Sequence, residues 1–329
     1  MKRVTIYDVA KEANVSLATV SRVINGSNVV RSQTKEKVEN AIKKLGYKPN
    51  AIAQGLALQK TTNIGLIIPE ASFTYTGMII NGLIDVAKIY GYNIMLHTIT
   101  EGITDVDMIV DVIIKSRVDG VIIYSDKIPE EAMSLLNDYN IPIVVIGNKI
   151  SSKSICCVYI DFAKAIYDLC NSYIERGITD IAILEDRKNR NVSQLMLQGA
   201  KKAFEEHGLE YDGFVGIPKE ERSSYRYLKN YFANHKHELM IVNRDSQAMA
   251  VLNAARENGI IVPDNMELVC VIDTKYNSMV RPQISSFTVP SYDLGAVSMR
   301  LMTKMLANEE IEDKEKCLNY LFIQRETSY

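Results

Sequence analysis

The 329-residue sequence lacks an apolar run long enough to cross a membrane, and its five cysteines include no CxxC pair. The longest apolar runs are strand-sized, such as residues 141–146, and no continuous apolar stretch follows the basic amino terminus. We therefore expect neither a signal peptide nor a membrane span. Because Cys156 and Cys157 are adjacent, an ordinary disulfide is disfavoured, and we expect reduced thiols in a cytoplasmic protein.

Motifs that carry catalysis are also missing. The sequence contains no GxSxG, GxxxxGK[ST], HExxH or GxGxxG pattern. We interpret His235 and His237 as surface residues, because two histidines at this spacing on a helix end diverge. Residues 186–190, DRKNR, are interpreted as a polar loop over a cleft. We therefore expect no enzyme, no metal site and no cofactor.

Charge is divided sharply along the chain. Residues 1–62 contain 11 lysines and arginines against four aspartates and glutamates, whereas the rest of the chain contains 27 against 36. A basic segment joined to an acidic body is typical of a protein with a polyanion-binding head. The nearly neutral total charge therefore conceals one end that is suited to nucleic acid.

Residues 5–25, TIYDVAKEANVSLATVSRVIN, predict two short helices joined by a turn at residues 14–16. Ser16 is placed to cap the second helix. The apolar residues of that helix share one inward face, which carries Val20, Val23 and Ile24. The pattern is that of a helix-turn-helix, so we predict that residues 1–46 bind DNA. The alternative is an amphipathic subdomain that only packs on the rest of the chain.

The outward face of the second helix has short side chains, which let its backbone approach the floor of the major groove. We predict that Arg22 is the main base-recognition residue, because its guanidinium can bind O6 and N7 of a guanine. Leu17 and Ala18 can contact thymine methyl groups. Hydroxyl and amide side chains suit phosphate oxygens, and the predicted backbone contacts are Thr5, Tyr7, Ser16, Thr19, Ser21, Asn25, Tyr47 and Asn50.

A third helix is predicted from Ser32 to Gly46, followed by a hinge at residues 47–60. Residues 51–58 predict a short helix that is unstable alone. We expect this helix to fold when two copies pair on DNA, with Leu56 inserted into a minor-groove base step. The alternative is a plain linker helix in which Leu56 covers a core.

From Asn63 onwards, apolar strands alternate with amphipathic helices, which predicts a parallel α/β fold. The alternation occurs as two βαβ sets, so we expect two lobes with a cleft between them. The predicted first lobe comprises residues 61–161 and 290–320, and the second comprises residues 162–289 and 321–329.

Five motifs make the sequence similar to the lactose-repressor/galactose-repressor family of bacterial transcription regulators. They are TIYDVA (5–10), VSxATVSRVIN (15–25), LGYKPNAIAQGLA (45–57), VDGVII (118–123) and VRPQISS (280–286). The resemblance implies a helix-turn-helix head on a two-lobed α/β core like that of periplasmic binding proteins, with two doubly wound parallel sheets. It also implies a homodimer that binds double-stranded, palindromic operator DNA.

Residues 60–70 and 279–305 resemble a catabolite-control subgroup of that family. The subgroup implies a repressor of carbon metabolism whose co-repressor is the histidine-containing phosphocarrier protein phosphorylated on a serine. The residues that match its co-repressor contacts are Glu70, Asp85, Tyr292, Asp293, Val297 and Arg300. Helical periodicity also separates the last three from the apolar face of their helix, and the Arg300 guanidinium suits a phosphoserine.

The second lobe departs from the sugar-sensing members of the family. Residues 196–200, MLQGA, lack the usual arginine and aromatic, and Ile272 replaces an aspartate that comes one place later as Asp273. A cleft built for sugar hydroxyls is therefore disfavoured. This lobe also departs from the catabolite-control subgroup at Cys270 and residues 243–245, which leaves a different or weakened effector response as a further alternative. The first alternative function remains a repressor with a sugar or nucleobase effector in this cleft, and the second is a solute-binding receptor.

Overall fold

The structure, a computed structural model, describes residues 4–26, 29–48, 61–68, 74–98, 106–124, 130–187, 190–218 and 220–329. The chain forms two compact units. The first comprises Met1–Asn63 with Arg117–Asp119, and the second comprises Ile64–Ser116 with Gly120–Tyr329. The predicted hinge helix and Leu56 lie outside the described residues.

The described residues of the first unit form three helices, α1 (Ile6–Ala13), α2 (Leu17–Ile24) and α3 (Ser32–Leu45). Asn14 and Gly46 end α1 and α3 in the left-handed conformation, with φ of 52° and 62°. Asparagine and glycine tolerate this conformation best, so both helices end where the sequence allows a turn.

A small apolar core holds these helices together, because helices of eight residues are unstable alone. Its buried members are Val9, Ala13, Val20, Val23, Val38 and Ala41. Ile24, predicted to face inward with Val20 and Val23, is only partly buried at the edge of this core. The buried face of α2 therefore consists of Val20 and Val23.

The second unit consists of alternating strands and helices. Its described strands are β1 (Asn63–Ile68), β2 (Asn93–Thr98), β3 (Gly120–Ile123), β4 (Ile143–Ile146), β5 (Ile155–Tyr159), β6 (Ile181–Leu184), β7 (Phe214–Val215), β8 (Leu239–Val242), β9 (Glu267–Cys270), β10 (Ser285–Thr288), β11 (Glu315–Cys317) and β12 (Leu321–Ile323). Its described helices are α4 (Thr74–Ile89), α5 (Val106–Lys115), α6 (Glu130–Asp138), α7 (Phe162–Glu175), α8 (Arg190–Glu206), α9 (Glu221–Phe232), α10 (Asp245–Glu257), α11 (Lys275–Met279) and α12 (Ser291–Leu306).

The strands form two six-stranded sheets, one in each lobe. The first has the order β11-β5-β4-β3-β1-β2, and the second has the order β12-β10-β9-β8-β6-β7. The second sheet is parallel except at its edge, where β12 runs antiparallel to β10. Strands β3, β4, β6, β8 and β9 are buried along their whole length, as expected for apolar strands covered by helices on both faces.

The chain passes between the two sheets three times. It leaves the first sheet after β5 and enters the second lobe through α7, then returns after β10 through α12, which packs on α4 and on β3, β4 and β5. Between β11 and β12 it crosses once more, since these neighbouring strands belong to different sheets. Three segments of chain therefore join the two lobes. In folds of this kind, ligands bind at the carboxyl ends of the parallel strands, and here both lobes contribute such ends.

Some local features are not contained in the predicted alternation of strands and helices. The segment near the carboxyl terminus forms two short strands, β11 from Glu315 and β12 from Leu321. The five-residue helix α11 was not predicted, because one turn of helix gives no periodic signal. No helix within the described parts of the chain is long and apolar enough to span a membrane.

Candidate nucleic-acid interface and partner surface

The start of α2 is fixed by Ser16. Its hydroxyl oxygen accepts a hydrogen bond from the backbone N–H of Thr19 at 3.2 Å, and the two hydroxyl groups lie 2.8 Å apart. A serine in this position satisfies one of the amide groups that a helix leaves without a partner at its amino end. The cap therefore fixes the residue at which α2 begins.

The outward face of α2 lies opposite the buried Val20 and Val23. Leu17, Ala18 and Arg22 are exposed on it. Asn25, which follows the helix, is also exposed, and its amide donates to the hydroxyl of the partly exposed Ser21 at 3.4 Å. The three residues predicted for base recognition in the head thus share an accessible face made mainly of short side chains, with one guanidinium.

The predicted backbone contacts at the amino ends of α1 and α2 are accessible too. Thr5 is exposed, and its amide and hydroxyl both donate to the carboxylate of Asp8, at 2.8 and 2.7 Å. Tyr7 is 70% exposed, so its phenol is free to reach a phosphate oxygen. Ser16 is exposed and Thr19 is partly exposed.

Tyr47 differs from the other predicted backbone contacts because it packs partly against the core of the head. In a half-buried tyrosine the ring is fixed by packing, while the hydroxyl group stays available for a hydrogen bond. Asn50, another predicted backbone contact, and Leu56, the predicted minor-groove residue, lie outside the described residues.

The predicted co-repressor residues lie on α4 and α12. The Tyr292 hydroxyl donates to Asp85 Oδ2 at 3.2 Å across the two helices. Asp293 and Arg300 are exposed and Val297 is partly exposed, whereas Leu294, Ser298, Leu301 and Met302 of the same helix are buried. We name Asp85, Tyr292, Asp293, Val297 and Arg300 the α4–α12 surface; Glu70 lies outside the described residues.

Charges on this surface act on one another. Partial desolvation, followed by the neighbouring Asp85 carboxylate, raises the pKa of the Tyr292 hydroxyl, while the Arg300 guanidinium opposes that rise. Lys88 Nζ lies 3.6 Å from Asp85 Oδ1. The surface therefore has an acidic and a basic end with a partly exposed valine between Asp293 and Arg300 on α12.

At the carboxyl ends of β6 and β8, one residue of the segment interpreted as a polar loop, Asp186, is buried. Asp186 is only 1% exposed and forms two hydrogen bonds with the buried Arg244, Nε to Oδ2 at 2.6 Å and Nη2 to Oδ1 at 3.1 Å. Arg190 begins α8. The sequence did not indicate this pair, because its members lie 58 positions apart.

A second aspartate at this edge of the sheet is also paired. Asp273 accepts from Arg325 Nη1 and Nη2 at 3.0 and 2.8 Å, and from the hydroxyl of Ser286 at 2.8 Å. Asp273 was the residue that replaced, one position later, the aspartate of sugar-sensing family members. Its carboxylate is occupied by side chains of this chain.

A cavity of about 570 Å³ lies beside the two lobes, between the segment that follows β4 and helices α7 and α8. The Asn191 amide donates to the Asn148 side chain next to this cavity and links the lobes. The cationic residues that line the cavity are Lys149, Lys164 and Lys202. Among the described residues, no cluster of histidine, cysteine and acidic side chains is arranged to hold a metal ion.

A three-helix head with an accessible face on its second helix, followed by a two-lobed α/β core, defines the class of DNA-binding regulators. Two family models match the chain. Residues 5–50 match bacterial regulatory proteins of the lacI family, and residues 171–328 match a periplasmic binding protein-like domain.

The chain belongs to the lacI family of bacterial regulatory proteins. It is 36% identical to catabolite control protein A of Staphylococcus aureus (strain Mu50) over 328 residues, which cover 99% of each chain. Among solved structures, it is similar to the lac repressor dimer bound to operator and the anti-inducer ONPF, with a TM-score of 0.86 and 23% identity over 99% of each chain.

The transcription regulator CcpA of Lactococcus lactis is also similar in structure, with a TM-score of 0.71 and 24% identity over 81% of this chain and 99% of that one. Family, fold and full-length relatives agree that the chain is a DNA-binding transcription regulator. The predicted fold class and the prediction of a regulator rather than an enzyme are confirmed.

Proposed function

We propose that the chain is a dimeric repressor of carbon metabolism whose two heads occupy the two half-sites of a palindromic operator. The observation that supports this most is the accessible face of α2, on which Arg22 is the cationic group beside Leu17 and Ala18. An arginine beside small and apolar side chains suits guanine and thymine edges in the major groove. Two copies related by a twofold axis then match a palindromic site.

The core controls the head through the hinge in this proposal. When the effector favours the arrangement of the core that brings two hinges together, residues 47–60 of the two copies pair and fold. Leu56 then enters the minor groove and bends the site, which adds contacts available only on the correct sequence. DNA affinity therefore depends on an effector that stabilises one state of the core.

The proposed effector is a serine-phosphorylated phosphocarrier protein that binds the α4–α12 surface. The Tyr292–Asp85 hydrogen bond holds one end of this surface, and Arg300, two turns further along α12, is exposed to bind a phosphate through two parallel N–H groups. Val297 offers a small apolar contact between them. The α4–α12 surface thus combines a carboxylate, an apolar side chain and an arginine. This combination suits a partner that carries a phosphoserine beside apolar residues.

The test measures binding of operator DNA by fluorescence anisotropy, with and without the serine-phosphorylated phosphocarrier protein. A sequence recovered by in vitro selection serves as the operator. We expect the phosphorylated protein to raise operator affinity, and Arg300→Ala to weaken the effect by about 10- to 100-fold, because hydrogen bonds to charged groups contribute about 1.5–3 kcal/mol.

Lys201→Ala is the matched control, because it removes an exposed cation from α8 in the other lobe. This variant should respond to the phosphocarrier protein as the parent does. Equal effects of the phosphorylated and unphosphorylated protein, or an unchanged response in Arg300→Ala, would contradict the proposed co-repressor site.

A small-molecule effector is the second candidate, and the cavity of about 570 Å³ beside Asn148 and Asn191 favours it. A cavity of this size accommodates a sugar or a nucleobase. Calorimetry with these metabolites separates the two candidates, since a true effector must also change operator affinity by its coupling free energy. Coupling to a metabolite and not to the phosphocarrier protein would replace the first candidate by the second.

A further inference from the structure

The Arg244–Asp186 pair lies where a ligand of a two-lobed α/β protein is usually bound. Asp186 follows β6 and Arg244 follows β8, which are neighbouring parallel strands. Ligands of such sheets lie outside the carboxyl ends of the strands. In this chain a guanidinium that belongs to the protein occupies that edge.

The pair satisfies the carboxylate of Asp186. Besides the two hydrogen bonds from Arg244, Asp186 Oδ2 accepts one from the amide of Asn243 at 3.0 Å. Asp186 is 1% exposed and Arg244 is 6% exposed. A ligand hydroxyl would therefore have to displace a buried, bidentate arginine to reach this carboxylate.

Space beside the guanidinium is also limited. The cavity next to Arg244, lined in addition by Ser224 and Gln247, has a volume of about 30 Å³. That is enough for roughly one or two water molecules, so this cavity, as the described residues line it, is too small for a sugar ring.

The pair is tied to the helices that follow both strands. The backbone N–H of Asp186 donates to Ser193 Oγ of α8 at 2.8 Å. Gln247 of α10 accepts from the backbone N–H groups of Asn243 and Arg244 at 3.2 and 3.3 Å. The ends of β6 and β8 and the first turns of α8 and α10 are thus connected through one buried ion pair.

We propose that the side chain of Arg244 takes the place of a bound ligand in the second lobe. Its guanidinium binds Asp186 and holds the ends of β6 and β8 in one arrangement without a small molecule. This wall of the second lobe then has a fixed conformation before any effector binds. The proposal concerns the ion pair alone, so it stands whether or not the phosphocarrier protein is the co-repressor.

Chemical rescue tests this proposal. The full-length variant Arg244→Ala leaves a buried carboxylate facing a guanidinium-sized space, so we expect a lower Tm than in the parent. Methylguanidinium at about 10 mM should restore part of the loss by binding only the folded state, and methylammonium should restore less because it lacks two parallel N–H donors. Arg187→Ala is the matched control, since Arg187 is an exposed cation paired with the partly buried Glu185, and its loss should lower Tm much less than the loss of the buried Arg244.

Hydrogen–deuterium exchange then separates a ligand site from general loss of stability. At a temperature where Arg244→Ala remains folded, exchange in residues 186–194 and 243–250 should become about tenfold faster, and methylguanidinium should slow it again in these segments. The variant Arg244→Lys, which keeps the charge but not the bidentate geometry, should show an intermediate Tm and serves if the alanine variant does not fold. Equal rescue by the two cations, no change in exchange, or a uniform increase over the whole lobe would overturn the proposal.

Discussion

Gly82 of α4 and Gly295 of α12 are each in contact with the backbone of the other helix. A Cβ atom on Gly82 would lie 2.0 Å from the carbonyl oxygen of Tyr292, and one on Gly295 would lie 2.0 Å from the carbonyl oxygen of Ile79. Only two glycines allow the helices to come this close. The crossing brings Tyr292 beside Asp85 and so builds the α4–α12 surface.

Replacement of either glycine should therefore damage both stability and this surface. We expect Gly82→Ala and Gly295→Ala each to lower the free energy of unfolding by about 1–3 kcal/mol, because the added methyl group forces the helices apart. The measurement is urea unfolding followed by far-ultraviolet circular dichroism. Gly77→Ala is the control on α4, since no atom of the described residues lies within 4 Å of its Cβ position and alanine favours a helix. Equal stability of all three variants would contradict the close crossing.

Base recognition by Arg22 is tested by comparing operator with random DNA. Arg22→Ala should reduce the preference at one base pair by about 1–3 kcal/mol, because it removes a bidentate contact to a base. Lys48→Ala removes an exposed cation from the segment after α3 and should weaken binding to all sequences by a similar factor, as expected for a loss of attraction to phosphates. Equal losses on operator and random DNA for Arg22→Ala would contradict its proposed role.

The cap of α2 is expected to contribute to the stability of the head. Ser16→Ala removes the acceptor for the Thr19 amide, and should destabilise α2 by about 1 kcal/mol. Faster amide exchange within residues 17–24 reports this loss. Ser16→Asp should keep the protection, because aspartate caps helices as well as serine does; protection that is unchanged in the alanine variant would show that the cap does not matter.

Burial raises the pKa of the Cys170 and Cys270 thiols from near 9 to about 12. The folded state then keeps both thiols protonated in a pH range where the unfolded chain loses the protons. Unfolding therefore releases protons, and the stability from these groups is present below pH 9 and falls as the pH rises towards about 12. Urea unfolding over this range should show the decline, and it should be less steep in Cys170→Ala and Cys270→Ala.

Thiol accessibility gives an independent check on the same residues. Among the five cysteines, Cys317 is exposed and the other four are buried. In the native protein at neutral pH, a disulfide-exchange reagent should label Cys317 first, and Cys170 and Cys270 only after unfolding. Rapid labelling of Cys270 in the folded protein would contradict its burial and its raised pKa.

Features that depend on nearby residues could be predicted from the sequence. Ser16 is a capping residue beside an apolar face, and Gly46 follows the last apolar residue of a helical pattern, so the limits of α2 and α3 follow from local chemistry. The alternation of buried strands with helices likewise indicated two α/β lobes. Each of these signals is contained in the residues of a single helix or strand and its immediate neighbours.

Contacts between distant segments could not be predicted in this way. Asp186 follows β6 and Arg244 follows β8, and the two residues meet because β6 lies between β8 and β7 in the sheet. Tyr292 meets Asp85 across 207 positions because two glycines allow α4 and α12 to cross closely. Such pairs depend on strand order and helix packing, which the residue pattern around each partner does not contain.

Sequence-specific binding by two basic heads is tested most directly by the affinity for a selected palindromic sequence and for random DNA, measured over a range of KCl concentrations. We expect selection to recover a twofold-symmetric site. The logarithm of its affinity should fall linearly with the logarithm of salt concentration, with a slope between about −5 and −10 for two basic heads. An affinity that does not change with salt, or a selection that enriches no sequence, would contradict the account.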